Sequence, residues 1–188
     1  MKFIRQFLRN PVETAAVVAS SKRLSQLIVD RAELHQKRCV IELGPGTGAF
    51  TKEILKQVSP EALFFCLEIN QEFVIETRRN CPNAIVYHAS AADIKKYLNV
   101  HDRHTCDCII SGLPWALFGK ELQEELLENI YDSLEQGGSF LTIAHISGLL
   151  FPPGIRFHKL LNKKFNRVHK TEIIWGNVLP GFVYHCVK

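Results

Sequence analysis

Short apolar runs alternate with amphipathic segments along most of the chain. The runs are rich in Val, Ile, Phe and Cys, as is typical of buried strands, whereas the segments between them repeat their apolar residues at helical spacing. The predicted strands are Cys39–Leu43, Leu63–Leu67, Ala84–Tyr87, Cys106–Ser111, Phe140–His145, Val168–Trp175 and Phe182–Val187. The predicted helices are Lys22–Leu34, a segment that ends near Val58, Gln71–Asn80, Lys120–Leu134 with a stop at Gly137-Gly138, and a short one at Phe157–Leu161 after a Pro/Gly loop.

The order of these elements predicts the fold class. Five strands that alternate with helices indicate a parallel sheet covered on both faces. The last two strands are too close in sequence for a helical crossover, so an antiparallel strand must be present. We therefore expect an α/β fold with a seven-stranded, mostly parallel sheet, an antiparallel C-terminal strand and N-terminal helices. The length suits one domain over residues 1–188, with an N-terminal helical segment at 1–34 and a core at 38–188.

Composition and cysteine usage narrow the class of protein. With 46% hydrophobic and 22% charged residues, the chain is globular, and no apolar run is long enough to cross a bilayer. The N-terminus lacks the apolar core of a secretory signal. None of the six cysteines has Cys-x-x-Cys spacing, which predicts buried thiols in the cytoplasm and no metal site. The net charge of +4 is compatible with anionic partners.

The N-terminal end has two interpretations. Residues 2–9 place Phe3, Phe7 and Leu8 on one helical face. Such a helix either lies on an anionic membrane surface or packs as a lid over the rest of the domain. The basic residues near this end are Lys2, Arg5, Arg9, Lys22 and Arg23.

A glycine-rich turn follows the first strand and opens a helix. It reads Glu42-Leu43-Gly44-Pro45-Gly46-Thr47-Gly48, which differs from the Gly-x-Gly-x-x-Gly of dinucleotide enzymes. Glycines let the backbone turn sharply and let a ligand approach the main chain. A second acid, Glu68, ends the second strand, where a carboxylate can accept hydrogen bonds from both hydroxyls of a ribose. The pattern predicts a site for a nucleoside cofactor.

Another candidate segment, Ser111-Gly112-Leu113-Pro114-Trp115, ends the fourth strand. In an open α/β sheet this strand lies beside the first one, at the switch point where ligands bind. Carbonyl groups and a polar side chain there can accept hydrogen bonds from an amine, and Trp115 can face a cation. At the end of the fifth strand, His145 is a candidate proton acceptor or substrate contact.

Together these motifs resemble known methyltransferases. The glycine turn resembles the first motif of S-adenosylmethionine-dependent enzymes, and Ser111–Trp115 resembles the Asn-Leu-Pro-Tyr acceptor motif of adenine dimethylases, with Ser-Gly in place of Asn. With residues 7–23 and Asn177–Val183, they resemble the bacterial phospholipid N-methyltransferases, which are similar to the ribosomal RNA adenine dimethylases. Departures from that family are Ala19, where Pro is usual, Ser90, where an acid is usual, and His145, where an aromatic hydroxyl is commoner.

The resemblance implies a Rossmann-like fold, S-adenosylmethionine as cofactor, S-adenosylhomocysteine as product, and a role for particular residues. The implied cofactor-binding residues are Glu42, Gly44, Gly46, Thr47, Gly48, Glu68, Ile69, Ser90, Ala91 and Ser111. The implied catalytic and acceptor-binding residues are Ser111, Gly112, Leu113, Pro114, Trp115 and His145.

Several methyl acceptors stay open at this point. The favoured one is the amine headgroup of a phospholipid similar to phosphatidylethanolamine, with the protein in the cytoplasm or peripheral on the inner membrane face. Alternatives are a small-molecule amine, an adenine of ribosomal RNA, and a cofactor-binding module without activity. RNA is less favoured because we expect no helical domain after the last strand and because the Asn of the acceptor motif is absent.

Overall fold

Seven strands form one sheet in the computed structural model, which describes residues 22–175 and 180–188. The strands are β1 Cys39–Leu43, β2 Leu63–Glu68, β3 Ile85–His88, β4 Cys106–Ser111, β5 Leu134–His145, β6 Arg167–Lys170 and β7 Gly181–Val187. Their order across the sheet is β3-β2-β1-β4-β5-β7-β6. β7 pairs antiparallel with β5 and with β6, whereas the other pairs in the described sheet are parallel, so the predicted fold class is confirmed.

Helices cover both faces of this sheet. They are α1 Lys22–Ala32, α2 Ala49–Gln57, α3 Gln71–Asn80, α4 Ile94–Val100, α5 Lys120–Ser133 and α6 Pro152–Lys164. One apolar cluster joins α4, α5 and α6 to the sheet, and a second joins α1, α2 and α3 to the opposite face. Because successive strand residues point to opposite faces, Ile41 belongs to the first cluster and Val40 to the second. The central strands are therefore buried on both sides.

Three predicted boundaries were wrong, each for a local reason. The strand β5 begins directly after α5 and runs through Gly137, which has a φ of +79°. The register between β4 and β5 shifts in this region, so the glycines lie in a bulge of the strand and are not the predicted helix stop. The helix α6 begins at Pro152, since proline is tolerated in a first helical turn. The strand β6 ends at Lys170, and only a bridge between Ile174 and Gly181 continues the pairing.

The helix predicted to begin at Lys22 is present as α1 and packs with its apolar side against the sheet. Leu24, Ile28 and Val29 are buried there. The helix predicted for residues 2–9 and the motif residues 177–179 lie outside the described residues. Within residues 22–175 and 180–188, no helix has the length and apolar character that a membrane crossing requires. All six cysteines are buried thiols, as predicted.

Candidate functional site

The glycine loop, Gly44–Gly48, joins β1 to α2 with a backbone that other residues rarely adopt. Gly44, Gly46 and Gly48 have φ values of +70°, +58° and +86°. A side chain at any of these positions would be strained. At Gly48 an added Cβ would also lie 2.9 Å from the Sγ of Cys81. The loop thus presents bare backbone at the carboxyl edge of the sheet.

Helix α3 holds this loop from below. The Thr77 hydroxyl donates to the Gly46 carbonyl at 2.6 Å, and the Asn80 side-chain amide donates to the Thr47 carbonyl at 2.9 Å. The Gly44 N–H donates to the Leu67 carbonyl at 2.9 Å. Sequence reasoning missed Thr77 and Asn80, whose spacing of three residues on one helix is the only local signal of their shared role.

Glu68 lies beside the glycine loop, as its place at the end of β2 predicts. Its carboxylate is buried and accepts the Gly46 N–H at 3.1 Å and the Asn70 N–H at 2.9 Å. Burial raises the pKa of this carboxyl, while the backbone hydrogen bonds oppose the rise. A carboxylate has about four lone-pair sites, so two of them are left for the hydroxyls of a ligand.

Glu42 lies inside the protein, beneath the loop. One carboxyl oxygen accepts the Thr51 hydroxyl at 2.7 Å and the Cys66 thiol at 3.3 Å. The other oxygen, Oε1, has no hydrogen-bond partner among the described residues. Burial raises the pKa of Glu42 to about 7. Glu42 therefore braces the start of α2 against β1 and β2, and its contact with the cofactor stays a prediction.

Ser90 and Ala91, two further predicted cofactor-binding residues, follow the end of β3. The Ser90 hydroxyl accepts the Ala92 N–H at 3.1 Å, and the Asp93 carboxylate accepts the Ser90 N–H at 3.1 Å, so the two residues cap the short 3-10 helix Ala91–Asp93. The Ser90 hydroxyl keeps its proton for donation to a ligand. Ile69 follows Glu68 and is partly exposed at the same edge.

The acceptor loop, Ser111–Trp115, meets the glycine loop backbone to backbone. The Gly112 N–H donates to the Leu43 carbonyl at 2.9 Å. A Cβ on Gly112 would lie 2.7 Å from the Gly44 carbonyl oxygen, and a Cβ on Gly44 would lie 2.9 Å from Leu113. Glycine is therefore required at 112 for the loops to come this close, and at 44 by the positive φ. Pro114 follows this contact and lines the same cavity as Gly44.

Ser111 and Trp115 use their polar atoms within the acceptor loop. The Ser111 hydroxyl accepts the Leu113 N–H at 3.2 Å and the Trp115 indole N–H at 3.1 Å. The Trp115 ring is buried and stacks on Phe157 at 4.5 Å between ring centroids. Phe157 thus covers one face of the indole, so the predicted contact with a cation is possible only at another part of the ring.

A buried amide network that sequence reasoning missed fixes the far side of this loop. The Gln123 amide donates to the Trp115 carbonyl at 2.6 Å and to the Pro153 carbonyl at 3.0 Å. Arg156 donates to the Gln123 side-chain oxygen at 2.9 Å and to the Phe118 carbonyl at 3.1 Å. The network joins the acceptor loop to α5 and α6.

A cavity of about 520 Å³ opens between the two loops, the end of β5 and the start of α6. Most of its walls are apolar. His145 and Tyr184 are among the polar side chains that line it, and His145 lies opposite Gly181 in the pairing of β5 with β7. The cavity contacts Gly44 and Pro45, so a ligand on the glycine loop and one in the cavity would be neighbours. The arrangement suits transfer of a group between two bound molecules.

Comparisons with known proteins agree with this geometry. A profile described as "Methyltransferase domain" matches residues 40–138. An ornithine lipid N-methyltransferase from Singulisphaera acidiphila is 31% identical over 147 residues, which cover 77% of each chain. A ribosomal RNA small subunit methyltransferase A from Mycoplasma capricolum is 30% identical over 57% of this chain and 40% of its own. A Bacillus cereus O-methyltransferase solved with S-adenosylhomocysteine superposes with a TM-score of 0.73 at 16% identity, over 100% of this chain and 91% of that one.

Fold, site and similarity together define a Rossmann-like methyltransferase that depends on S-adenosylmethionine. The chain belongs to the methyltransferase domain family, and the predicted cofactor and enzyme class are confirmed. The residues present fit that cofactor. The glycine loop exposes backbone that a Cβ at Gly44 or Gly48 would push against Leu113 or Cys81, and Glu68 has lone pairs left for ribose hydroxyls.

Replacement of Glu68 tests this assignment. We expect Glu68→Ala to weaken S-adenosylmethionine binding by about 1–3 kcal/mol, because charge-assisted hydrogen bonds to the ribose are lost. Titration calorimetry measures the effect, and Glu72→Ala, which removes an exposed carboxylate on α3, serves as the control. Unchanged affinity in Glu68→Ala would show that the ribose lies elsewhere.

The buried Glu42 makes stability depend on pH. Its folded pKa of about 7 lies above the ordinary 4.5, so the unfolded chain loses the proton first and stability falls between these values as pH rises. The full penalty above pH 7 is about 3 kcal/mol. We expect Glu42→Gln to be more stable than the natural protein at pH 8, with the difference shrinking toward pH 4.5. Urea unfolding at several pH values measures it, with the exposed Glu124→Gln as control; a difference that does not vary with pH contradicts the prediction.

Proposed function

We propose that this methyltransferase transfers a methyl group to the amine of a lipid headgroup. The observation that carries the proposal is the large, mostly apolar cavity beside the glycine loop. An acceptor with an apolar body fits such walls better than a polar nucleotide does. The similarity to an ornithine lipid N-methyltransferase over 77% of both chains supports the same class of acceptor.

In this proposal the protein contributes mainly positioning. S-adenosylmethionine supplies an electrophilic methyl group when it is bound. The acceptor loop and the glycine loop, which are locked together at Gly112, hold the acceptor nitrogen in line with that group. The stacked rings of Trp115 and Phe157 close the inner wall against water. An amine reacts only after it loses its proton, and His145 lines the cavity as the group that accepts it on an imidazole nitrogen.

A ribosomal RNA adenine is the second candidate acceptor, because of the similarity to the ribosomal RNA enzymes. That similarity spans 40% of the relative from Mycoplasma capricolum, and this chain has Ser111-Gly112 at the place of the Asn in the adenine motif. The lipid acceptor is favoured because the ornithine lipid enzyme matches over most of both chains.

A panel of acceptors tests the proposed substrate. Purified protein is incubated with radiolabelled S-adenosylmethionine and one of three acceptors: vesicles with an amine-bearing lipid, ethanolamine, or ribosomal RNA. We expect label in the lipid fraction, with little in the other two, because only the lipid fills the apolar cavity. If Glu68→Ala does not transfer the label, the methylation depends on the site beside the glycine loop. If label is found only in RNA or only in ethanolamine, the lipid is not the acceptor and the labelled molecule takes its place.

We further propose that the protein associates peripherally with an anionic membrane. Four exposed apolar side chains, here called the apolar rim, line the cavity or adjoin lining residues in sequence: Leu117, Leu150, Phe151 and Ile155. Residues 151–170 carry six Lys and Arg and no Asp or Glu, among a total of 23 basic and 19 acidic residues. Apolar insertion beside a cationic surface suits an anionic bilayer. The membrane contact expected for residues 2–9 lies outside the described residues and stays a prediction.

The apolar rim provides a matched test of this association. Leu150 and Ile155 are exposed and do not line the cavity, so Leu150→Ser/Ile155→Ser changes the surface without changing the cavity wall. We expect this variant to co-sediment less with anionic vesicles than the natural protein does, and high salt to weaken binding of both. The control Ile75→Ser/Val100→Ser removes two apolar side chains that lie elsewhere and are each 59% exposed. Equal binding of both variants would exclude the rim from the membrane contact.

A further inference from the structure

Tyr184, in β7, has a buried hydroxyl that the protein itself does not satisfy. The residue is 1% exposed, and its hydroxyl has no hydrogen-bond partner within residues 22–175 and 180–188. Buried polar groups in folded proteins are almost always paired, and an unpaired one lowers stability. A phenylalanine would fill nearly the same volume without this cost. A bound ligand would supply the hydrogen-bond partner that this hydroxyl lacks.

The sheet places Tyr184 at the level of the acceptor loop. Ser111 of β4 lies opposite Thr142 of β5, which in turn lies opposite Tyr184 of β7. Residues that are directly opposite each other point to the same face of a sheet. Adjacent strands are about 4.8 Å apart, so the backbone of Tyr184 lies roughly 10 Å from that of Ser111.

The same side chain forms part of the cavity wall. Its ring packs edge-on against Phe157 and Phe182, with centroids 6.2 and 4.9 Å apart, and it lines the cavity together with Trp115. An acceptor in the cavity would pack against this wall, most of which is apolar. Burial raises the pKa of Tyr184 above its ordinary value, so the phenol stays neutral and can both donate and accept a hydrogen bond.

We propose that Tyr184 is a substrate-binding residue whose hydroxyl hydrogen-bonds the polar headgroup of the amine-bearing acceptor. The inference rests on the proposed function, since it requires an acceptor that occupies the cavity. The hydroxyl holds the headgroup while the acceptor loop holds the nitrogen that is methylated. It takes no part in proton transfer.

Tyr184→Phe separates this role from a structural one, because the two predict opposite changes. If the hydroxyl serves the acceptor, its removal relieves an unpaired buried group, and the melting temperature of the ligand-free protein rises by about 2 °C or more. At the same time kcat/KM for the acceptor falls by roughly 3- to 10-fold, the effect of one lost neutral hydrogen bond, while KM for S-adenosylmethionine is unchanged.

Tyr87→Phe is the matched control. Tyr87 lies in β3 and does not line the cavity, and its hydroxyl is paired with Nε2 of His101 at 3.0 Å. Its removal should lower the melting temperature slightly and leave kcat/KM for the acceptor unchanged. Contrasting changes in the two variants identify a hydroxyl that is unpaired until the acceptor binds.

The acceptor panel distinguishes failure of this inference from failure of the proposed function. The natural protein is first assayed with lipid, ethanolamine and RNA, and both variants are then assayed with whichever acceptor is methylated. Absence of lipid methylation by the natural protein contradicts the proposed function alone, and the role of Tyr184 is then decided on the acceptor that is used. A lower melting temperature of Tyr184→Phe, or an unchanged kcat/KM, overturns the role of Tyr184 whatever the acceptor.

Discussion

The close approach of two backbone segments, at Gly44 and Gly112, is the constraint on which the site depends. Strands β1 and β4 are neighbours, and the loops that follow them leave the sheet at the same corner. Only 2.7 Å would separate a Cβ on Gly112 from the Gly44 carbonyl oxygen. Because neither residue has a side chain, the glycine loop and the acceptor loop can touch. Their contact fixes one wall of the cavity, which both loops line.

Buried polar groups keep the cofactor side of this corner rigid. Glu68 accepts backbone N–H groups from the glycine loop and from the start of α3, while Thr77 and Asn80 bind two carbonyls of the same loop. Glu42 braces α2 from within the core. These bonds exist before any ligand binds, so little ordering is needed when the cofactor arrives.

The acceptor side is built differently, from rings and one amide network. Trp115 stacks on Phe157, and Gln123 ties the carbonyl of Trp115 to the start of α6. The indole N–H is used by Ser111. The segment that resembles an acceptor motif therefore maintains the shape of the wall, while most of the cavity surface stays apolar. Such a wall suits a ligand with an apolar body.

The sequence by itself determined the elements that depend on residues close together in the chain. Strand patterns, the glycine turn and Glu68 are set by residue type and spacing, so their positions could be predicted from the chain. The short helix α4 was not predicted, and the extension of β5 through Gly137 depends on a bulge against β4. Only the tertiary structure showed the hydrogen bonds of Thr77, Asn80 and Gln123 and the unpaired hydroxyl of Tyr184. Whether each of these side chains has a hydrogen-bond partner depends on residues that are distant in sequence. Such contacts form only in the folded sheet, so no periodicity along the chain predicts them.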